Sequence, residues 1–391
     1  MSNYNYPYYD RILPDEQIKF VKNKIDSGSW KIETVKKSVT GLKRDHQIIR
    51  TKRSGNLIKF AFHGDKLTFC PHRWADLAIA SGSCGFGCRA CFLMLTFRIM
   101  RDPYIPVIYT NDYRNITKKF LNNITWPCKF SNNTISQSPA TSIGLGIDCS
   151  DSLLYEGITH NAQKLIPLFS DESINKYKKK LILLTKSANV HYLEDLPTNN
   201  IVVSFSLNPE KVADAWEGKY SNGERITPSI GSRLQASLKA EEMGYEVRWR
   251  IDPIILIENW YKTYEEFFQM TANEGHRPTT ITLGTYREKN VQLDTWRKKW
   301  GLLEPEFELD QLEKTGTHRH LPENNRIAIY DQVQNLIIRS WERKNQRPLV
   351  SLCKETVNVR KNTKLINDKC NCLNFKSIKE IIKNSDINLI E

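Results

Sequence analysis

Three closely spaced cysteines lie in the glycine-containing stretch Ser81-Gly-Ser-Cys84-Gly-Phe-Gly-Cys88-Arg-Ala-Cys91-Phe92-Leu93. A spacing of the form C-x3-C-x2-C allows one loop to hold an iron–sulfur cluster through several thiolates. Three protein ligands, rather than four, leave one iron of such a cluster open to another molecule. The alternative is a zinc knuckle, which needs a fourth Cys or His a few residues away. The next cysteine is Cys128, so the spacing favours a three-thiolate cluster.

Alternating strands and helices surround this loop. A short apolar strand at 77–80 precedes it, and further strands are predicted at 142–147, 181–185, 201–206, 246–255 and 280–283. Helical segments at 151–169, 228–243 and 260–274 separate them. Six such strands joined by helices predict parallel βαβ units that close into a full or partial barrel. The cysteine loop would leave the C-terminal end of the first strand, where barrels carry their chemistry.

Regions outside the alternating pattern divide the chain into three parts. Residues 1–66 are predicted as a basic N-terminal extension with a hairpin at 50–63, and 67–303 as the barrel with an insert at about 100–140. Residues 304–391 form a C-terminal extension with a long helix at 324–344 and a strand at 349–352.

Overall composition indicates a globular protein of 391 residues, with 40% hydrophobic and 26% charged residues. No apolar run approaches the roughly 18 residues of a transmembrane helix, and no signal peptide is recognisable at the N-terminus. A cytoplasmic protein without membrane contact is therefore expected. The nine cysteines are an odd number for a disulfide framework, which favours metal binding or catalysis.

The net charge of +13 is concentrated near the N-terminus, because residues 1–66 hold 14 Lys and Arg against 7 Asp and Glu. Eight basic residues lie between Lys36 and Lys59, where Asp45 is the one acidic residue. Such a segment fits a polyanion, most simply a nucleic acid, with DNA favoured. The alternative is a solvated basic face with no partner.

Several motifs resemble, in order and spacing, those of the radical S-adenosylmethionine (SAM) superfamily and its spore photoproduct lyase family. They are C-x3-C-x2-C, Ile147-Asp148-Cys149-Ser150-Asp151-Ser152-Leu153-Leu154, Thr185-Lys186, Ser204-Phe205-Ser206-Leu207-Asn208, Gly231-Ser-Arg-Leu through Gly244-Tyr245, Asp252-Pro253-Ile254, Leu283-Gly284-Thr285-Tyr286-Arg287 and Leu352-Cys353-Lys354-Glu355. The similarity extends from about residue 70 to 355. It implies a partial (β/α)6 TIM-type barrel with N- and C-terminal extensions.

The resemblance also implies the cofactors. Cys84, Cys88 and Cys91 would ligate a [4Fe–4S] cluster, and the open iron would chelate SAM. One electron, supplied by a donor such as flavodoxin or ferredoxin, would cleave SAM to a 5′-deoxyadenosyl radical that abstracts a hydrogen atom. Ser152, Lys186 and Ser206 match positions that contact the polar groups of SAM in the family. Alternatively, Lys186 and Ser206 cap strands.

Cys149 matches the cysteine that returns a hydrogen atom to the product radical in spore photoproduct lyase. Its alternative is a small buried cysteine that fills space. The family has tyrosines on both sides of the third cluster cysteine, whereas this chain has Ala90 and Phe92. A tyrosyl relay there is absent, although Tyr155 or Tyr286 could replace it. This difference argues against thymine-dimer repair in particular but leaves radical generation intact.

A second group of cysteines lies toward the C-terminus. Cys353, Cys370 and Cys372, with Cys70 as a fourth ligand, could bind an auxiliary iron–sulfur cluster or zinc. The alternative is a set of unligated thiols.

The sequence as a whole predicts a monomeric radical SAM enzyme that acts on a nucleic acid, with a DNA base lesion or base modification as its target. Two other functions stay open: the same chemistry on a peptide or small metabolite, and a zinc-structured nucleic-acid-binding protein.

Overall fold

The fold was analysed in a computed structural model that describes residues 23–60, 75–81, 84–89, 91, 106–129, 135–147, 150–288, 311–315, 318–342 and 347–364. Its strands are β1 Lys31–Val35, β2 His46–Thr51, β3 Ile58–Phe60, β4 Ala75–Leu77, β5 Ala80–Ser81, β6 Val107–Tyr109, β7 Thr125–Lys129, β8 Ile135–Pro139, β9 Ser142–Leu145, β10 Lys180–Thr185, β11 Ile201–Ser206, β12 Glu246–Ile254, β13 Thr280–Thr285, β14 Arg287–Glu288, β15 Glu313–Thr315, β16 His318–His320 and β17 Leu349–Leu352.

The helices separate the later strands of this series. They are α1 Lys37–Thr40, α2 Arg114–Leu121, α3 Glu156–Thr159, α4 Asn161–Ser170, α5 Glu210–Glu217, α6 Ile230–Glu242, α7 Trp260–Asn273, α8 Glu323–Ser340 and α9 Val357–Asn362, with a 3₁₀ turn at Val190–Leu193. Within the described residues, every helix is too short or too polar to span a lipid bilayer.

An eight-stranded sheet forms the centre of the molecule, in the order β17-β13-β12-β11-β10-β9-β4-β3. The seven strands from β17 to β4 are parallel, and each lies beside the strand that precedes it among the members of this sheet. This strand order is that of a (β/α) barrel. In the described residues, β3 and β17 are the edge strands of the sheet. The six predicted strands are therefore joined by a seventh, β17, which belongs to the barrel sheet and not to a separate tail.

Continuous apolar runs explain the central strands. Every residue of β11 and β13 is buried, because strands of a parallel sheet are covered on both faces. Ser229 caps the N-terminus of helix α6, and its hydroxyl accepts a hydrogen bond from the amide of Ser232. The inward face of α6 contains Ile230 and Leu234, but also Arg233, which is fully buried.

The predicted first strand and the predicted basic hairpin differ from the structure. Residues 75–77 belong to the barrel sheet, whereas 80–81 join a second sheet of order β1-β2-β6-β5. The hairpin prediction at 50–63 is wrong, because β2 pairs with β1 and β6 while β3 pairs with β4. Ile48 and Ile49 have no exposed surface, so β2 is an interior strand rather than an arm in solvent.

Candidate active site

Two glycines shape the cysteine loop, of which residues 84–89 and 91 are described. Gly85 and Gly87 have φ values of +79° and +69°, a region that side chains disfavour. A Cβ atom on Gly85 would overlap the hydroxyl of Tyr155. Glycine at position 85 thus allows the loop to lie directly against the segment that follows β9.

The loop places its three cysteines in a dry environment. Cys88 is buried and Cys84 and Cys91 are half-buried. Burial raises the pKa of Cys84 to about 12, and the nearby charges of Cys91 and Asp151 add to the effect, while amide hydrogen bonds from the loop oppose it. Neighbouring buried thiols need a cation to become thiolates together, so this donor set fits an iron–sulfur cluster. Among the described residues, no group of three or more His, Cys, Asp or Glu side chains is arranged to hold a metal ion.

Asp151 joins the segment after β9 to the end of β10. Its Oδ1 atom accepts hydrogen bonds from the amides of Leu153 and Leu154, both at 3.0 Å, and from the Thr185 hydroxyl at 2.7 Å. Its Oδ2 atom accepts from the amide of Lys186 at 2.7 Å. The carboxylate therefore fixes where the Lys186 backbone leaves the strand. Sequence analysis assigned no role to this residue.

Ser152 is buried between two barrel strands. Its hydroxyl donates to the carbonyl of Leu145 at 2.8 Å and accepts from the amide of Leu184 at 2.9 Å. These bonds hold the ends of β9 and β10 together. Contact of Ser152 with SAM stays a prediction.

Lys186 is paired with a carboxylate that sequence analysis missed. Its Nζ atom contacts Oε1 of Glu217, and Arg233 donates from Nη1 to the same oxygen at 3.0 Å. Arg233 also pairs with the second oxygen of Glu217 through Nη2. Burial alone would raise the pKa of Glu217, but the positive charges of Arg233 and Lys186 lower it. The three side chains form a buried group with one net positive charge.

This Lys186–Glu217–Arg233 triad connects the predicted site residues. Nη1 of Arg233 donates to the carbonyl of Ser206 at 3.1 Å, and the carbonyl of Glu217 accepts from the amide of Arg89 at 3.0 Å. Burial raises the pKa of the Cys88 thiol, and the positive charge of Lys186 opposes this increase. The structure thus brings Lys186, Ser206 and the cysteine loop together. A charged residue on the inward face of α6 was the one signal for Arg233 in the sequence.

Tyr155 also lies against the loop. Its hydroxyl is 2.9 Å from Nε2 of His46, on strand β2. Tyr286 instead packs edge-on against Trp216, with ring centroids 5.6 Å apart. Tyr155 and Tyr286 were considered as replacements for the two tyrosines that flank the third cluster cysteine in the family. Tyr155 therefore lies against the cysteine loop, and a relay role for either tyrosine stays a prediction.

Cys353 lies at the end of β17 in a separate ionic cluster. Its Sγ atom accepts from Nη2 of Arg250 at 2.8 Å, and its carbonyl accepts from Nη1 of Arg287 at 2.7 Å. Both arginines pair with Asp252. Burial would raise the pKa of Asp252, but these two guanidinium groups lower it. Four other predicted site residues lie outside the described residues: Cys70, Cys149, Cys370 and Cys372.

A sequential parallel barrel with a three-cysteine loop at the C-terminal ends of its strands defines the radical SAM class of fold. The family model described as spore photoproduct lyase matches residues 66–284, which is more than half of the chain. The chain therefore belongs to the spore photoproduct lyase family, a family of radical SAM enzymes.

Individual relatives are distant. The chain is 24% identical over 139 residues to the spore photoproduct lyase of Clostridium acetobutylicum, covering 35% of this chain and 38% of that protein. It is 26% identical over 200 residues to the spore photoproduct lyase of Geobacillus sp. strain Y412MC61, covering 51% of each. The matched segment thus spans about half or less of the length of these curated relatives.

Solved structures agree at the level of the fold. A spore photoproduct lyase complexed with dinucleoside spore photoproduct superposes with a TM-score of 0.56 at 19% identity, covering 78% of this chain and 81% of that one. A mutant spore photoproduct lyase with bound AdoMet and dinucleoside spore photoproduct gives a TM-score of 0.55 with the same identity and coverage. These likenesses establish the partial barrel.

Proposed function

We propose that this protein is a radical SAM enzyme that acts on a nucleic acid, with a DNA base lesion or base modification as its candidate target. The observation that carries the proposal is the buried cysteine loop, joined through the Lys186–Glu217–Arg233 triad to Ser206. Family membership and the dinucleoside spore photoproduct named for related structures support the substrate.

The cysteine loop would hold a [4Fe–4S] cluster through Cys84, Cys88 and Cys91. When bound, the cluster and SAM supply a 5′-deoxyadenosyl radical that abstracts a hydrogen atom from the substrate. The protein mainly positions and shields such chemistry. Phe86, Leu153 and Leu154 are buried near the loop and would exclude water.

Lys186 and Ser206 would orient the cofactor. The Lys186 side chain is 28% exposed, and its ammonium would pair with the SAM carboxylate. The Ser206 hydroxyl has no described hydrogen-bond partner and would bind a ribose hydroxyl. Glu217 and Arg233 hold both groups in place, because Arg233 bonds the carbonyl of Ser206 while Glu217 bonds Lys186.

Anaerobic reconstitution with iron and sulfide tests the proposal. We expect absorbance near roughly 400 nm, and 5′-deoxyadenosine after reduction in the presence of SAM. Turnover with deuterated candidate substrates, including an oligonucleotide with a spore photoproduct, then follows label into 5′-deoxyadenosine. Label from a peptide or metabolite but not from the oligonucleotide would favour the first alternative. Zinc in place of iron, with no 5′-deoxyadenosine, would favour the second.

Cys149 would return a hydrogen atom to the product radical, because the S–H bond of a thiol is weak. Cys149→Ala is expected to leave SAM cleavage intact and to divert the substrate radical to side products. The measurement is the ratio of repaired product to 5′-deoxyadenosine, with Cys128→Ala as the matched control. Wild-type product yield from Cys149→Ala would exclude the donor role.

The C-terminal metal site is a separate proposal. Cys353 would join Cys70, Cys370 and Cys372 in holding an auxiliary iron–sulfur cluster or zinc. Metal content per chain, compared between wild type and Cys353→Ser, tests this proposal. A reductant such as flavodoxin or ferredoxin and a monomeric state complete the proposed enzyme.

A further inference from the structure

Residues 36–46, here called the strap, cross one face of the barrel. Three consecutive barrel strands, β9, β10 and β11, are each followed by a segment that contacts the strap. Carboxyl ends of parallel strands meet at one edge of a sheet, and the cysteine loop also leaves that edge. The strap therefore lies on the rim of the candidate active site, although family similarity begins only at residue 66.

Two backbone carbonyls and two side chains of the strap make these contacts. After β9, Tyr155 meets His46, with 2.9 Å between its hydroxyl and Nε2. After β10, Nδ2 of Asn189 donates to the carbonyl of Thr40 at 3.0 Å, and the Tyr192 hydroxyl donates to the carbonyl of Val39 at 3.3 Å. These bonds fix the path of the strap and leave most of its side chains free to face solvent.

The last contact involves a charged strap residue. The guanidinium of Arg44 lies 5.0 Å from the ring centroid of Tyr220, in the segment that follows β11 and α5. Tyr220 follows Glu217 closely in the chain, and the carbonyl of Glu217 accepts a hydrogen bond from the amide of Arg89 in the cysteine loop at 3.0 Å. Arg44 is thus placed close to the cysteine loop.

The strap is also strongly basic. It holds four Lys and Arg residues against one Asp, a net charge of +3. The Asp45 carboxylate is occupied by Nζ of Lys36 at 2.8 Å and by the amide of Lys37 at 2.9 Å. Lys37 and Lys43 are exposed. The surface that the strap offers is therefore cationic, and it borders the mouth of the barrel.

We propose that the strap is a phosphate-binding rim that leads a nucleic-acid strand to the mouth of the active site. The inference rests on the proposed nucleic-acid substrate and adds where its backbone binds. A basic rim fixed by tertiary contacts can hold phosphates in register with the site, and phosphate contacts position a nucleic acid without reading its sequence. Such contacts would help to offset the cost of unstacking and exposing a base.

Charge reversal in two places separates a local rim from a general effect of net charge. The test variant is Lys37→Glu with Lys43→Glu. The control is Lys176→Glu with Arg277→Glu, since both residues are exposed and precede the amino ends of β10 and β13, on the opposite edge of the sheet. Both double variants change the net charge by the same amount.

Binding of the full-length protein to a thymine-rich oligonucleotide is measured across a salt series. The wild type should show a steep loss of affinity with salt. The strap variant should have a slope of log K against log salt that is shallower by about 2, given roughly 0.9 per duplex phosphate contact. The control should keep the wild-type slope.

Equal weakening of both variants, or no change in the strap variant, would overturn the inference. SAM cleavage without substrate is measured in parallel and should be the same in all three proteins. If the wild-type protein cleaves SAM but binds the oligonucleotide without salt dependence, both the proposed nucleic-acid substrate and the proposed rim are excluded. If the strap variant keeps the salt-dependent binding of the wild type, only the proposed rim is excluded.

Discussion

At the scale of single residues, Glu217 links Lys186, Arg233 and the cysteine loop. One buried carboxylate accepts from Lys186, Arg233 and Thr227, and its backbone carbonyl holds the amide of Arg89. A buried anion between two cations is costly to remove, because it leaves the cations uncompensated. Glu217 is therefore a positioning residue for Lys186 and for the cysteine loop.

Glu217→Gln should lower the free energy of unfolding by about 3–5 kcal/mol, the usual cost of breaking a buried ion pair. Lys186→Met should lower the free energy of unfolding by less, because Glu217 keeps its ion pair with Arg233. The affinity for SAM, measured by equilibrium dialysis on protein of equal iron content, should fall in both variants. Glu224→Gln, at an exposed position, is the control.

A merely structural role for Glu217 predicts a different outcome. Glu217→Gln would then melt at a lower temperature but bind SAM with wild-type affinity when folded. That result would separate stability from cofactor orientation and contradict the positioning role.

At the scale of elements, β2 decides how the N-terminal region relates to the barrel. It pairs with β1 on one side and β6 on the other, and β6 continues the sheet to β5 beside the cysteine loop. Ile49 is fully buried, whereas Ile32, its partner across the β1–β2 pair, is 44% exposed. Two isoleucines paired across neighbouring strands thus lie in different environments, one buried and one exposed.

Ile49→Ala should destabilise the protein by about 2–5 kcal/mol, because it opens a cavity in a packed interior. Ile32→Ala, which removes the same atoms from the surface, should change the stability by less than about 1 kcal/mol. Thermal or urea unfolding of both variants is the measurement. Equal effects would mean that β2 is not part of the interior.

At the scale of the whole molecule, stability should depend on pH through Lys179. This side chain is 1% exposed and its Nζ atom lies 4.0 Å from the ring centroid of Phe120. Burial lowers its pKa from 10.5 to about 7. Between these two values the unfolded chain binds the proton that the folded chain releases, so the stability contributed by this group rises with pH.

Lys179→Met should lack this increase. The wild type should gain stability relative to the variant between pH 7 and pH 9, and the difference should be constant below pH 7, where both states hold the proton. Melting temperatures across this range, with the exposed Lys176→Met as control, provide the measurement. A wild-type curve parallel to that of Lys179→Met would contradict the buried amine as the cause.

The sequence predicted the parts of the fold that depend on local pattern. Helix α8 begins and ends within a few residues of the predicted 324–344, and β10 and β11 lie where their apolar runs indicate. The cysteine loop was recognisable because its three cysteines are spaced within eight residues. Periodicity and short spacings do not require knowledge of distant partners.

Distant partners account for what was missed. Arg233 carries no local sign that it will bind Glu217, because the partner is 16 residues away on another helix. The hairpin predicted at 50–63 begins at Arg50, which instead belongs to β2, and the burial of the preceding Ile48 and Ile49 makes β2 an interior strand. The ion pair of Arg233 and the interior position of β2 depend on contacts between distant parts of the chain. Composition alone does not predict such contacts.

The strap has a consequence for how the chain matures during synthesis. Two of its backbone carbonyls, at Thr40 and Val39, bond side chains 149 and 153 residues later. At about 5–20 residues per second, the ribosome needs roughly 8–30 s to add these residues. The cysteine loop leaves the ribosome well before Asn189 and Tyr192 exist to hold the strap. The three thiols of a nascent chain are therefore exposed before the strap can be fixed across the rim of the candidate active site.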